Sequence, residues 1–140
     1  IQTYNEKHFV LRKVLENDYK GFYSKEKADR ENMGYPPFTR IALIETKDTS
    51  MDKAKGAAYD FYKEIIKYKN YLKISDPTTA QIFKLLNNYR YHILIKSSKE
   101  NDPGGAILRK AIMEAWTEFN KKSRYKDVKL FYDVDPQSIM

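Results

Sequence analysis

Asn87-Asn88-Tyr89-Arg90-Tyr91-His92-Ile93-Leu94-Ile95-Lys96-Ser97 holds the strongest strand signal in the chain. Aromatic and β-branched residues suit a pleated, half-buried surface. Successive side chains on a strand point to opposite faces. That period places Tyr89, Tyr91, Ile93 and Ile95 on one face and Arg90, His92, Leu94 and Lys96 on the other. The first set reads as core, and the second lines an open sheet face. Asn tolerates positive φ, so Asn87-Asn88 predicts a tight turn back to an extended run from about Gln81 to Leu86.

Working outward, the segments alternate between strand and helix. Arg40 to Thr46 predicts a strand, and residues 51–69 predict a helix with Met51, Ala54, Ala58, Phe61, Tyr62 and Ile65 on one face. A short strand at Leu72 to Ser75 meets Asp76-Pro77. Beyond the central strand, Asp102-Pro103-Gly104-Gly105 is a loop into a helix with Leu108, Ala111, Ile112, Ala115 and Phe119 on one face. Val128 to Val134 closes the fold and Asp135-Pro136 ends it. The order is β-α-β-β-α-β, an α+β, ferredoxin-like or ribosomal-protein-like sandwich.

Two helices lead in. Residues 5–17 carry the stripe Val10, Leu11, Val14 and Leu15. Asp18 reads as the N-cap of a second helix through Met33, with Gly34 as its stop. Tyr35-Pro36-Pro37-Phe38 is expected to be extended, with Phe38 buried. The expected division is therefore a helical lead-in over 1–38 and a sandwich domain over 39–140. Ile41 and Leu43 point away from Ala42 and Ile44, so both faces of the first strand are apolar. The leading helices or a neighbouring domain should cover part of the open face.

The 140 residues suit one domain. A net charge of +7 and a pI near 9.4 favour an acidic partner, nucleic acid before membrane, and twelve Tyr suit half-buried contact faces. No apolar run is long enough to span a bilayer. Cysteine is absent, which removes disulfides and thiolate chemistry and fits a cytoplasmic protein. The opening Ile1-Gln2-Thr3 lacks a start Met and reads as an excerpt.

Catalysis has no foothold. Gly104-Gly105 lacks the Lys-Ser/Thr of a phosphate-cradling loop, and no Ser or Thr sits in a nucleophile motif. His8 and His92 are too few and too far apart for a metal site. Asp133 and Asp135 are spaced to share one side of a strand, but a strand end entering a Pro turn explains them better. We therefore expect no catalytic, cofactor or metal residues.

From Pro77 to Lys99 there is not one Asp or Glu. Lys84, Arg90, His92, Lys96 and Lys99 are the expected nucleic-acid contacts, with cations on phosphate beside aromatic rings. A basic strand that serves only solubility is the competing reading. Arg109, Lys110, Lys121, Lys122, Arg124 and Lys126 add charge on and after the last helix, where solvation is the ordinary explanation. An RNA-recognition domain shares the element order, but Tyr89 to Lys96 lacks its required Gly.

Specific words in the chain resemble the C-terminal domain of the primosomal protein N′ (PriA) family of replication-restart helicases. Gln2-Thr3-Tyr4-Asn5 resembles the end of that family's second helicase lobe. Asp18-Tyr19, Phe22-Tyr23, Glu26, Arg30, Tyr35-Pro36-Pro37-Phe38 and Arg40 are similar to its junction. Ile82, Lys84, Tyr89-Arg90-Tyr91 and Ile93-Leu94-Ile95-Lys96 resemble its central hairpin, and Asp133-Val134-Asp135-Pro136-Gln137-Ser138 its C-terminus. The chain departs at Asp76-Pro77-Thr78-Thr79, where the family has Gly-Pro, and at Asn87-Asn88, where it often has Gly and a basic residue.

The resemblance implies a bacterial, ATP-dependent 3′-to-5′ DNA helicase as parent, with ATP, magnesium and zinc bound outside this segment. It implies a monomeric module that binds fork or single-stranded DNA and docks on the helicase lobes and other primosome proteins. It also implies docking of the acidic tail of single-stranded DNA-binding protein, for which Arg109 and Lys110 are the candidates. A purely protein-docking brace for the helicase lobes is the alternative. A free-standing RNA-binding ribosomal-like domain is a third.

Overall fold

The computed structural model describes residues 4–137 except Glu6, so Gln2, Thr3 and Ser138 lie outside the described residues. Two helices lead, α1 (Phe9–Leu15) and α2 (Tyr19–Met33). Strand β1 (Thr39–Asp48) and helix α3 (Met51–Ile65) follow, then β2 (Lys73–Ile74), β3 (Thr78–Leu85) and β4 (Asn88–Ser98). Helix α4 (Ala106–Asn120) and β5 (Lys129–Val134) complete the fold. The chain is an α+β sandwich in the expected order.

Strand β1 lies between β4 and β5, antiparallel to both. The far side of β4 is shared by β2, opposite Ile95 and Lys96, and by β3, opposite His92 and residues nearer the turn. One strand position of the sandwich is therefore filled by two short pieces. Pro77 cannot donate to the ladder and breaks it there. Ser75 bridges the break: its N–H donates to the Leu94 carbonyl, and its hydroxyl accepts from the Leu94 N–H.

Helices α3 and α4 cover one sheet face. Ala42 and Ile44 of β1 and Ile93 and Ile95 of β4 meet Phe61, Ile65, Leu108, Ile112 and Phe119 in one core. Ala54, Ala57, Ala58, Ala111 and Ala115 have almost no exposed surface, so their small side chains allow close packing. Phe61 and Phe119 pack edge to face with centroids 6.1 Å apart. Met51, expected on the α3 core face, is 43% exposed in the first turn.

The caps follow from short polar side chains. Asp18 accepts from the Gly21 N–H at the start of α2, and Gly34 closes that helix with φ at 61°. Asp102 is buried before α4 and accepts from the N–H groups of Ile107 and Leu108 and the Ser97 hydroxyl. Burial alone would raise its carboxyl. Those donors outweigh it and hold the group below its ordinary value.

Several expectations are corrected. The Tyr35–Phe38 segment is a turn with a cis Pro36-Pro37 bond, and the Phe38 N–H donates to the Tyr35 carbonyl. Phe38 is only half-buried, because it lines a surface cleft. The α helix expected to reach Lys69 ends at Ile65 and passes into a tighter turn over Ile66–Tyr68. The hairpin turn lies one residue earlier than Asn87-Asn88. Leu86 and Asn87 carry the positive φ, at 47° and 61°, and Asn88 already pairs with Leu85. The stripe on α1 is not core, since Val14 and Leu15 are 58% and 75% exposed and no residue of α1 or α2 is buried.

Candidate nucleic-acid interface

The β1–β4 register sets the open sheet face. Glu45 stands opposite His92, Leu43 opposite Leu94 and Ile41 opposite Lys96. The period-two assignment of β4 therefore matches the pairing, and Arg90, His92, Leu94 and Lys96 share that face. Glu45 changes what they can do. Its Oε2 accepts from Arg90 Nε at 2.9 Å and Nη2 at 2.6 Å, and lies 2.8 Å from His92 Nε2. The three side chains are only 8–15% exposed. Burial pushes the Glu45 carboxyl up, but His92 and Arg90 outweigh it and bring it to about 2. Glu45 was missed in the sequence because its partners follow only from the strand register.

The other expected contacts separate. Lys84 pairs with Tyr89, whose face belongs to the helix side, and its ammonium lies 4.8 Å from that ring centroid. Lys96 crosses the open face toward the end of α2. It donates to the Met33 carbonyl at 2.9 Å and sits 4.0 Å from the Tyr35 ring centroid. Burial, and then the nearby Lys73, lower its pKa. The Lys99 N–H donates to the Phe38 carbonyl, which leaves its side chain exposed beside Lys96.

Lys96 and Lys99 line one cleft of about 780 Å³ with Lys69, Lys73, Tyr71 and Phe38. Glu31 and Glu100 are the acids on its wall, so four lysines and two acids line it. The Lys69, Lys73 and Lys99 ammonium groups have no hydrogen-bond or ion-pair partner among the described residues. Lys69 and Lys73 were missed too. The alternation Lys67-Tyr68-Lys69-Asn70-Tyr71-Leu72-Lys73 is the signal that would have found them.

Arg109 and Lys110 point to different places. Arg109 lines a groove of about 480 Å³ between α4 and β5, with Arg40, Leu108, Ile112, Tyr132 and Val134. Lys110 lies 3.8 Å from Glu114 on the outer face. After α4, Lys121, Lys122 and Arg124 are matched by Glu118, Glu64 and Asp60. Asp135 Oδ1 accepts from the Ile41 N–H and so clamps the strand end, while Asp133 faces Leu43. Among the described residues, no group of three or more His, Cys, Asp or Glu side chains is placed to hold a metal. None of the described helices is long and apolar enough to cross a membrane.

The sequence profile of the primosomal protein N C-terminal domain matches residues 31–137. The chain belongs to this family. The replication restart protein PriA of Haemophilus influenzae is 32% identical over 99% of the chain. That of Thermotoga maritima is 34% identical over 69%, and that of Bacillus subtilis 28% identical over all of it. The chain spans 18%, 13% and 17% of the length of these three relatives. The sandwich, its central hairpin and both clefts fall within the stretch matched to the primosomal protein N C-terminal domain.

Proposed function

We propose that the chain is the DNA-binding C-terminal module of a replication-restart protein, contacting phosphates through Lys69, Lys73, Lys96 and Lys99. One observation carries the reading: these lysines converge from two separate stretches, and among the described residues three of them make no side-chain hydrogen bond or ion pair. Arg90 and His92 are already matched by Glu45, so their role here is to brace the sheet. Residues 1–38 serve as the lead-in and 39–140 as the binding domain. The parent is a bacterial, cytoplasmic, ATP-dependent 3′-to-5′ DNA helicase, with ATP, magnesium and zinc bound in its other domains.

Lys69→Ala, Lys73→Ala and Lys99→Ala, each titrated against a labelled fork at several salt concentrations, test this. Each lost phosphate contact should flatten log K against log salt by about 0.7 on single strands or 0.9 on duplex. Wild-type binding should be weak, roughly 10⁻⁴ to 10⁻⁶ M. Unchanged slopes in all three variants would overturn the assignment.

Partner docking is a second reading with its own support. Arg40 and Arg109 flank the largely apolar α4–β5 groove, which suits an acidic, hydrophobic tail such as that of single-stranded DNA-binding protein. Val14, Leu15, Tyr19, Tyr23 and Met33 leave apolar surface on α1 and α2 for the helicase lobes. Arg109→Glu should abolish capture of an acidic tail peptide and leave DNA binding unchanged. Equal peptide binding by wild type and variant removes the groove from this role.

A further inference from the structure

The lysine cleft has one wall that electrostatics alone does not explain. After α3, Leu72 is buried in the core at 3% exposure, which pins the chain on both sides of it. The N–H groups of Tyr71 and Leu72 both donate to the Tyr68 carbonyl. Tyr71 is thus held on a fixed loop, yet it is 65% exposed at the cleft wall. A large ring kept in water by a rigid backbone is a platform in waiting. Lys69 and Lys73 flank it in sequence, and Lys96 and Lys99 face the cleft from the β4 end.

We propose that this cleft is a single-strand site, in which the lysines follow the phosphates of an unpaired strand and one base stacks on Tyr71. The inference rests on the DNA-binding reading above and specifies the form of DNA. A cleft of about 780 Å³ is within the roughly 300–1,000 Å³ of sites that enclose a small ligand, the scale of a short run of nucleotides. A duplex keeps its base faces stacked internally and offers such a cleft only phosphate. An unpaired strand offers both phosphate and a free base face, and aromatic stacking is tolerant of base identity. Lys73 and Lys96 stand directly opposite each other on β2 and β4, so two like charges meet on one side of the cleft and an anion between them relieves their repulsion.

The test compares a short oligothymidylate with a blunt duplex of the same length, using wild type, Tyr71→Ala, Tyr71→Phe and Lys73→Ala. Thermal unfolding of each variant checks that the fold is retained. Tyr71→Ala should weaken oligothymidylate binding about tenfold, near the low end of the stacking range, and leave duplex binding unchanged. Tyr71→Phe should behave as wild type, because the ring is what stacks. Equal loss on both substrates, or no loss on either, overturns the single-strand assignment. If Lys73→Ala still weakens binding in that case, the broader DNA-binding reading survives. If no variant changes binding to either substrate, both readings fall.

Discussion

Glu45 and His92 stand directly opposite each other on β1 and β4, and the same Glu45 oxygen that meets the His92 ring also takes the Arg90 guanidinium. The most basic strand of the chain is thereby neutralised at its middle. Its remaining charge is left at the Lys96 end, beside lysines from the α3–β2 connection.

This cluster makes stability depend on pH. The Glu45 carboxyl is depressed from 4.5 to about 2, so the folded state favours its ionised form. Its contribution is complete above about pH 5 and is lost as pH falls toward 2, to a total of about 2–3 kcal/mol. Urea unfolding at stepped pH should show wild-type stability declining through that window. Glu45→Gln should be less stable at pH 7 and lack that part of the slope. Parallel profiles for the two proteins would show that the cluster does not contribute.

Arg90→Ala separates bracing from DNA contact. Removing Arg90 leaves the half-buried Glu45 carboxylate with the His92 ring as its remaining partner, so the variant should lose about 2 kcal/mol of stability. The salt slope of DNA binding should stay at the wild-type value. A slope flattened by about 0.7 would instead place Arg90 on a phosphate.

Asp102 is the polar residue on which the start of α4 depends. Asp102→Ala strands the Ile107 and Leu108 N–H groups and the Ser97 hydroxyl inside the protein. The expected loss is about 2 kcal/mol, read by chemical denaturation. A cost under about 0.5 kcal/mol would show that water takes over the cap.

Two phenylalanines should differ in what truncation does. Phe61 is fully buried against Phe119, and Phe61→Ala should cost about 4 kcal/mol. Phe38 is half-buried at the cleft, and Phe38→Ala should cost roughly 1–2 kcal/mol. Equal costs would contradict the half-buried placement of Phe38 along the cleft.

The β3–β4 turn can be improved. Leu86 is 88% exposed with φ at 47°, a left-handed conformation that a Leu side chain resists. Replacing Leu86→Asn together with Asn87→Gly should raise stability by about 1 kcal/mol, measured by denaturant midpoint. A lowered midpoint would mean that Leu86 makes a contact that matters.

Side-chain direction is a local property of the backbone, and so the sequence by itself determined which residues share a face. Alternation along Tyr89 to Lys96 separated Tyr91, Ile93 and Ile95 from Arg90, His92 and Lys96, because the strand period of two requires no partner to be known. The 3.6 period did the same for Phe61, Leu108, Ile112 and Phe119 on their helices. Asp18 and Gly34 marked the ends of α2 because caps act through the nearest backbone groups. The exact turn residues were less legible. Leu86 accepts its strained conformation because the strand register, fixed by core packing, places it there. Only the tertiary structure decided which acid meets Arg90, since Glu45 comes from another strand through a register that the core sets. It also brought Lys69 and Lys73 beside Lys96 and Lys99, because the pairing of β2 with β4 joins two stretches that no local rule connects.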